Sequence, residues 1–274
     1  MSYIHGYSEE EQNRLIQQNE VLAPYIYQWL DLADHRHIVE IGCGVGAQMI
    51  TLLHQYPELY MTGIEHAPRQ LQRAEVHLSH FPAFAGRYAF LEGDAEVIRP
   101  RFDHPVDGAL MVWVLEHVRN PESILKHTRS WLPEDCPLWV TEVFHPGFHT
   151  WPRSEAIMKY WTDTLTYQSS LGGDPAIGIR LNNLLVDAGF EQVIARPHLF
   201  YLDRTNPAER DKMLTYWLDL MRSAFHETAA AGYTSLECWQ EAEQDMRELR
   251  KRDDAVFYYT FFQATGRTPV QKRP

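Results

Sequence analysis

The chain has 274 residues, 45% hydrophobic, 23% charged and 12% aromatic, a balance that excludes collagen, coiled coil, low-complexity disorder and a disulfide scaffold. Its 25 Lys and Arg stand against 37 Asp and Glu, for a formal charge of −12, so a broad phosphate-binding face is not expected and nucleic acid is a poor partner. The length favours one enlarged domain over two.

Three scattered cysteines, Cys43, Cys136 and Cys238, form neither a metal knuckle nor a paired extracellular framework, which fits a reducing cytoplasm. The acidic N-terminus lacks the apolar run of a signal peptide, and no stretch reaches the ~18 apolar residues of a membrane span. A cytoplasmic chain with no membrane partner is therefore expected.

Ser8-Glu9-Glu10-Glu11 reads as a capping box, Ser8 accepting from the Glu11 amide and the Glu11 carboxylate returning the bond. The pattern predicts a helix to about Glu20, with Pro24 opening a second one through Trp29 and Leu32. From His37 onward, short apolar runs alternate with helical stretches: HIVEI, QMITLLHQY, YMTGIE, PRQLQRAEVHLSHF, YAFLEG, then VDGALMVWVL, ESILKHTRSWL, LWVTEVF, IGIRLNNLLVDAGF and EQVIARPHLFYL. Such alternation indicates a parallel sheet buried on both faces. A last apolar run covers Ala255 to Gly266, and the tail after it reads as disordered. About fifty residues between Tyr201 and Ala255 carry helical spacing and exceed any hairpin connection; with Pro146 to Asp174 they read as insertions.

The strongest motif is Val39-Glu40-Ile41-Gly42-Cys43-Gly44-Val45-Gly46-Ala47, closing the first strand and opening a helix, where glycines let a ligand approach backbone amides. Ala47 also completes the spacing of a dinucleotide fingerprint, so the loop alone leaves a nicotinamide cofactor open. Glu65 ends the second strand 23 residues after Gly42, placed to accept from ribose hydroxyls. Asp94, followed by Ala95, comes after the third strand and can accept from an exocyclic amine, a station that a dinucleotide enzyme does not need.

Together with Asp107 to His117, these residues resemble the class I S-adenosylmethionine-dependent methyltransferases over roughly Arg36 to Phe144, nearest to the small-molecule branch that includes ubiquinone and menaquinone biosynthesis enzymes. The resemblance implies an α/β fold: a Rossmann-like, doubly wound, seven-stranded sheet with its last strand antiparallel, and helical cap insertions. It implies S-adenosylmethionine as cofactor and S-adenosylhomocysteine as product. Glu40, Gly42, Gly44 and Gly46 would then surround the methionine moiety, Glu65 would hold the ribose, and Asp94 with Ala95 would read the adenine. Gln48, His66 and Trp113 are placed with them; His66 departs from the aliphatic residue common at its position. The fourth strand lacks the [ND]-P-P-[YF] sequence of enzymes that methylate exocyclic base amines or glutamine amides. The segment Tyr3 to Gln18 is similar to one in bacterial members of the branch, in which Tyr7 and Gln18 would close over the cofactor.

Residues 1–274 are thus expected as one methyltransferase domain, with an N-terminal helical lid over 1–35, a cofactor-binding half over 36–145, and substrate-cap insertions at 146–175 and 203–254. The acceptor is expected to be a small molecule, methylated on nitrogen or oxygen. An acceptor hydroxyl needs a base, and His117, His145 and Tyr7 are the catalytic candidates. His149, Trp151, Tyr160, Trp161 and Trp217 are expected to line the acceptor site. No metal is expected, since Pro146-Gly147 breaks the helix that a His145–His149 pair would need. The rival readings are a non-catalytic adenosylmethionine binder and a nicotinamide oxidoreductase, and the oligomeric state stays open, a dimer included.

Overall fold

The computed structural model describes residues 4–270; Tyr3, expected in the lid, lies outside them. A seven-stranded sheet runs in the order β3-β2-β1-β4-β5-β7-β6. The first five are β1 (His37–Ile41), β2 (Tyr60–Glu65), β3 (Tyr88–Glu92), β4 (Gly108–Val112) and β5 (Pro137–Trp151), all parallel. β7 (Val256–Arg267) inserts antiparallel between β5 and β6 (Glu191–Leu202). β1 and β4 are buried at every position, as strands covered on both faces must be.

Alternation along each strand feeds two cores. Ile38, Leu110 and Val112 face one way, beneath α1 (Glu9–Ile26), α2 (Ala47–Gln55), α3 (Pro68–Ser79) and α7 (Pro207–Ala230). Val39, Ile41, Ala109 and Met111 face the other, beneath α4 (Pro121–Trp131) and α6 (Leu181–Asp187). α5 (Glu155–Ser170) and α8 (Leu236–Arg250) pack with α7 over the long ends of β5, β6 and β7. No helix among the described residues is long and apolar enough to cross a membrane.

Several expectations are corrected. Ser8 Oγ does accept from Glu11 N at 3.1 Å, but the Glu11 carboxylate pairs with Arg14 at 2.6 and 2.7 Å instead of returning the bond. α1 runs unbroken through Pro24. The carbonyl of Glu20, which proline cannot serve, is met by Lys212 Nζ at 3.4 Å, and only the last turn lies beyond it. The first part of the tail is ordered, since Thr268 exchanges backbone and side-chain bonds with Cys136 at 3.0 and 2.9 Å; its last residues, 271–274, lie outside the described residues.

β5 likewise continues through His145-Pro146-Gly147 as a bulge. Ladder pairing with β7 jumps from Phe144–Thr260 to His149–Tyr258, so proline sits where no ladder amide is needed. The bulge resets the alternation. His145, Phe148 and Thr150 turn inward, and His149 and Trp151 turn outward.

Candidate functional site

At the carboxyl ends of the parallel strands, where doubly wound sheets bind ligands, a cavity of about 250 Å³ opens between the glycine loop, α1 and α7. The three loop glycines all have positive φ, +72° at Gly42, +52° at Gly44 and +71° at Gly46, and beyond that backbone requirement they serve two different purposes. A Cβ on Gly42 would meet Val114 at 2.6 Å and one on Gly46 would meet Leu78 at 2.7 Å, whereas one on Gly44 would stand in open space. Gly42 and Gly46 are therefore packing requirements, and Gly44 keeps the loop open.

Glu65 ties the loop to β2. Its carboxylate accepts from Gly44 N at 3.1 Å, Ala67 N at 2.9 Å and His66 Nδ1 at 2.9 Å. Burial pushes the carboxyl up, but the bonds from His66, Ala67 and Gly44 outweigh it and the net displacement is downward. The same bond raises the His66 imidazole. Tyr7 reaches His66 Nε2 at 3.4 Å. Asp94 lines the cavity beside Ala95, and its Oδ1 accepts from Glu96 N at 2.9 Å, closing the turn that follows β3.

Trp113, directly after β4, holds φ +54°, a conformation that a bulky residue adopts only when its surroundings impose it. The constraint is Glu142. Trp113 N bonds Thr141 O at 2.9 Å, while the buried Glu142 carboxyl accepts from Val114 N at 2.9 Å and Leu115 N at 2.5 Å. Burial and the charge of Glu116 push the Glu142 carboxyl well up.

That turn delivers Glu116 and His117 to the cavity. Glu116 Oε2 accepts from Gln168 Nε2 at 2.8 Å and lies 3.3 Å from His145 Nε2, whose Nδ1 is 3.2 Å from Tyr259 Oη. Burial pushes Glu116 up, but His117, His145 and Gln168 more than offset it and hold the carboxyl well below its ordinary range. His117 Nε2 stands 3.6 Å from Glu116, beyond a good hydrogen bond. Burial lowers His117 in spite of that carboxylate, which leaves it a neutral imidazole at neutral pH. Above these groups Arg14 bonds Gln18 at 2.8 Å, and Tyr216 Oη bonds the same amide oxygen at 3.0 Å.

Of the expected site residues, Tyr7, Gln18, Gly42, Gly44, Gln48, Glu65, His66, Asp94, Ala95, Trp113, His117, His145 and Trp217 line this one cavity. Four acceptor-site expectations do not hold. Trp151 is 62% exposed and His149 is exposed beside Tyr258, both turned away by the bulge. Tyr160 is fully buried with its hydroxyl on Met221 O at 2.7 Å, and Trp161 is core whose Nε1 bonds His145 O at 3.1 Å, so neither lines the cavity. Sequence reasoning missed Glu116, Glu142 and Tyr259. Adjacency to His117 after the fourth strand was a usable signal for Glu116, but nothing in an apolar final strand marks Tyr259.

The family described as "Methyltransferase domain" matches residues 39–138. Residues 39–138 are a methyltransferase domain. Around it, (S)-tetrahydroprotoberberine N-methyltransferase of Eschscholzia californica is 24% identical over 141 residues, 51% of this chain and 39% of that protein. The chain thus spans well under half the length of that relative. Among solved structures, the [4+2]-cyclase SpnF has TM-score 0.53 at 19% identity, covering 94% of this chain and 82% of that one. A phosphoethanolamine N-methyltransferase of Haemonchus contortus, solved with S-adenosylhomocysteine, has TM-score 0.57 at 12% identity, covering 98% and 61%. The fold is the one seen in class I, S-adenosylmethionine-dependent methyltransferases.

The residues present fit that cofactor. Gly44 leaves an open cradle. Glu40, only 1% exposed near the end of β1, does not itself line the cavity, but among the described residues neither of its carboxyl oxygens has a hydrogen-bond partner, and burial together with Glu65 pushes it well up. An uncompensated acid behind the loop suits a ligand that brings a cationic amine.

Proposed function

We propose that the protein catalyses methyl transfer from S-adenosylmethionine to the nitrogen or oxygen of a small molecule, in secondary metabolism and in the cytoplasm. One observation carries this reading: the glycine loop, Glu65 and Asp94 share a single cavity with Glu116, His117, His145 and Tyr259. The alkaloid N-methyltransferase named above supports the substrate class, and three free cysteines suit a reducing compartment.

In this reading the Gly42–Gly46 loop and Glu40 hold the methionine end, Glu65 the ribose, and Asp94 with Ala95 the adenine. S-Adenosylmethionine, when bound, supplies an activated methyl group. The chain must then align the acceptor and exclude water, a role that suits the apolar wall of Phe200, Trp217 and Leu220. An ammonium must lose a proton to expose its lone pair, and a phenol must lose one to become a strong nucleophile. His117, neutral through burial, accepts that proton, while ionised Glu116 favours a cationic amine in the cavity. Glu116 and Tyr259 occupy the two ring nitrogens of His145 and fix its orientation, so His145 positions rather than abstracts.

Isothermal titration with S-adenosylhomocysteine and with NADH tests the cofactor assignment. Binding of the first and not the second is expected; NADH binding alone would return the chain to the oxidoreductase reading.

A further inference from the structure

A second cavity, of about 440 Å³, lies on the α1 face of the sheet and shares only Val112 with the first. Its floor crosses four strands along the paired row Val112–Thr141–Gln263–Arg196. Its roof is the turn after α1, tied down by Gln263 Nε2 on Ile26 O and by Tyr56 Oη on Leu30 O, each at 2.8 Å. The volume falls within the ~300–1,000 Å³ of small-ligand sites.

The lining has a definite chemistry. Trp29 and Trp139 contribute indole surface, and Trp29 is 62% exposed with its ring 5.7 Å from that of His198. Among the described residues no Asp or Glu lines the cavity, although the chain carries a charge of −12. Burial and Arg196 lower the His198 imidazole, so the one cation among the described lining residues is the Arg196 guanidinium. Among the described residues it has no ion pair and no hydrogen bond. An exposed indole and an unpaired guanidinium on one apolar cavity are complementary to a flat ring that carries a carboxylate, since guanidinium binds carboxylate through paired, charge-assisted hydrogen bonds.

We propose that this second cavity is a binding site for a small planar aromatic carboxylate, its ring against Trp29 and Trp139 and its carboxylate on Arg196. The site is separate from the methyl-transfer cavity and does not depend on the reading given to that cavity.

The test is equilibrium titration of the full chain with 2-naphthoate, and with 2-naphthalenemethanol as its neutral counterpart, in saturating S-adenosylhomocysteine. One-site binding of 2-naphthoate is expected. Arg196→Gln should weaken it ~10-fold or more, the equivalent of losing about 1.4 kcal/mol, and leave the alcohol unchanged. Trp29→Ala should weaken both. Neither exposed substitution should shift the thermal midpoint or the affinity for S-adenosylhomocysteine. Three results overturn the proposal: 2-naphthoate binding that S-adenosylhomocysteine competes away, binding indifferent to Arg196→Gln, or a dimer by sedimentation velocity that Trp29→Ala dissolves, which would assign the surface to a second copy of the chain.

Discussion

Replacing Glu65 by Gln separates holding the loop from holding a ligand. The carboxylate meets three donors, Gly44 N, Ala67 N and His66 Nδ1, at 2.9 to 3.1 Å. Gln keeps one acceptor oxygen and turns an NH2 group toward a second donor. With the amide oxygen at the Ala67 and His66 side, two charge-assisted bonds become neutral and the one from Gly44 is lost, so at roughly 1.5–3 kcal/mol for a bond to a charged group and about 1 kcal/mol for a neutral one the folded chain should lose about 3–5 kcal/mol. A chain of this size should then melt several degrees lower. If the same carboxylate also holds the ribose, affinity for S-adenosylhomocysteine should fall a further ~10- to 100-fold, or about 1.4–2.8 kcal/mol. The assay pairs a thermal melt with isothermal titration, and NMR follows the His66 imidazole, which should titrate lower without its carboxylate partner. A variant that melts early yet binds S-adenosylhomocysteine within twofold of wild type would make Glu65 a loop strut and refute its ligand role.

Two glycine variants should part ways. Gly46→Ala drives a methyl against Leu78 and Ala74 and should lower stability by about 1–3 kcal/mol through overpacking. Gly44→Ala meets no described neighbour within 4 Å, so beyond the about 1–2 kcal/mol of an alanine held at φ +52° it should weaken S-adenosylhomocysteine, with titration and melts read side by side. Trp161→Ala removes a core indole and its bond to His145 O, and a loss of about 3–5 kcal/mol is expected. Trp151→Ala, at an exposed position, should leave melting point and activity unchanged. The buried imidazoles should also make stability depend on pH, with a definite sign. His5, His37 and His117 are all lowered by burial, so the unfolded chain binds more protons just below the ordinary imidazole value of 6.5. These three imidazoles therefore contribute stability that is lost as pH drops below that value, while Glu40, Glu142 and His66, whose values are raised, contribute in the opposite sense. Urea midpoints of wild type and His37→Gln at pH 7.5 and 5.5 check the imidazole contribution: the variant should lose less between the two than wild type does, and an equal change would contradict it.

The central strands were legible because β1 and β4 are buried on both faces and so appear as short, largely apolar runs, HIVEI and GALMV. The glycine loop was legible because positive φ is written in residue type. The far half was harder. Pro24 and Pro146-Gly147 carry the same local signal as a chain break, yet Lys212 serves the carbonyl that the first leaves, and a bulge opposite β7 absorbs the second. Both partners are remote in sequence. The bulge also explains why His145 reaches the cavity while His149 and Trp151 do not, since one irregular pairing reverses which side chains face inward. The Glu116–His145–Tyr259 chain joins the turn after β4 to β5 and β7, its His145–Tyr259 step alone spanning 114 residues of sequence, and periodicity carries no trace of it.

The central claim is that this cavity passes a methyl group to a small acceptor, and methyl-labelled S-adenosylmethionine tests it most directly. The pure protein is incubated with the labelled donor and a protein-free, nucleic-acid-free metabolite extract, and label is counted in the small-molecule fraction. The account predicts labelled small-molecule product that His117→Ala greatly reduces while S-adenosylhomocysteine still binds. Tight S-adenosylhomocysteine binding with no label transferred to any small molecule, or label passed only to added bulk tRNA, would contradict it.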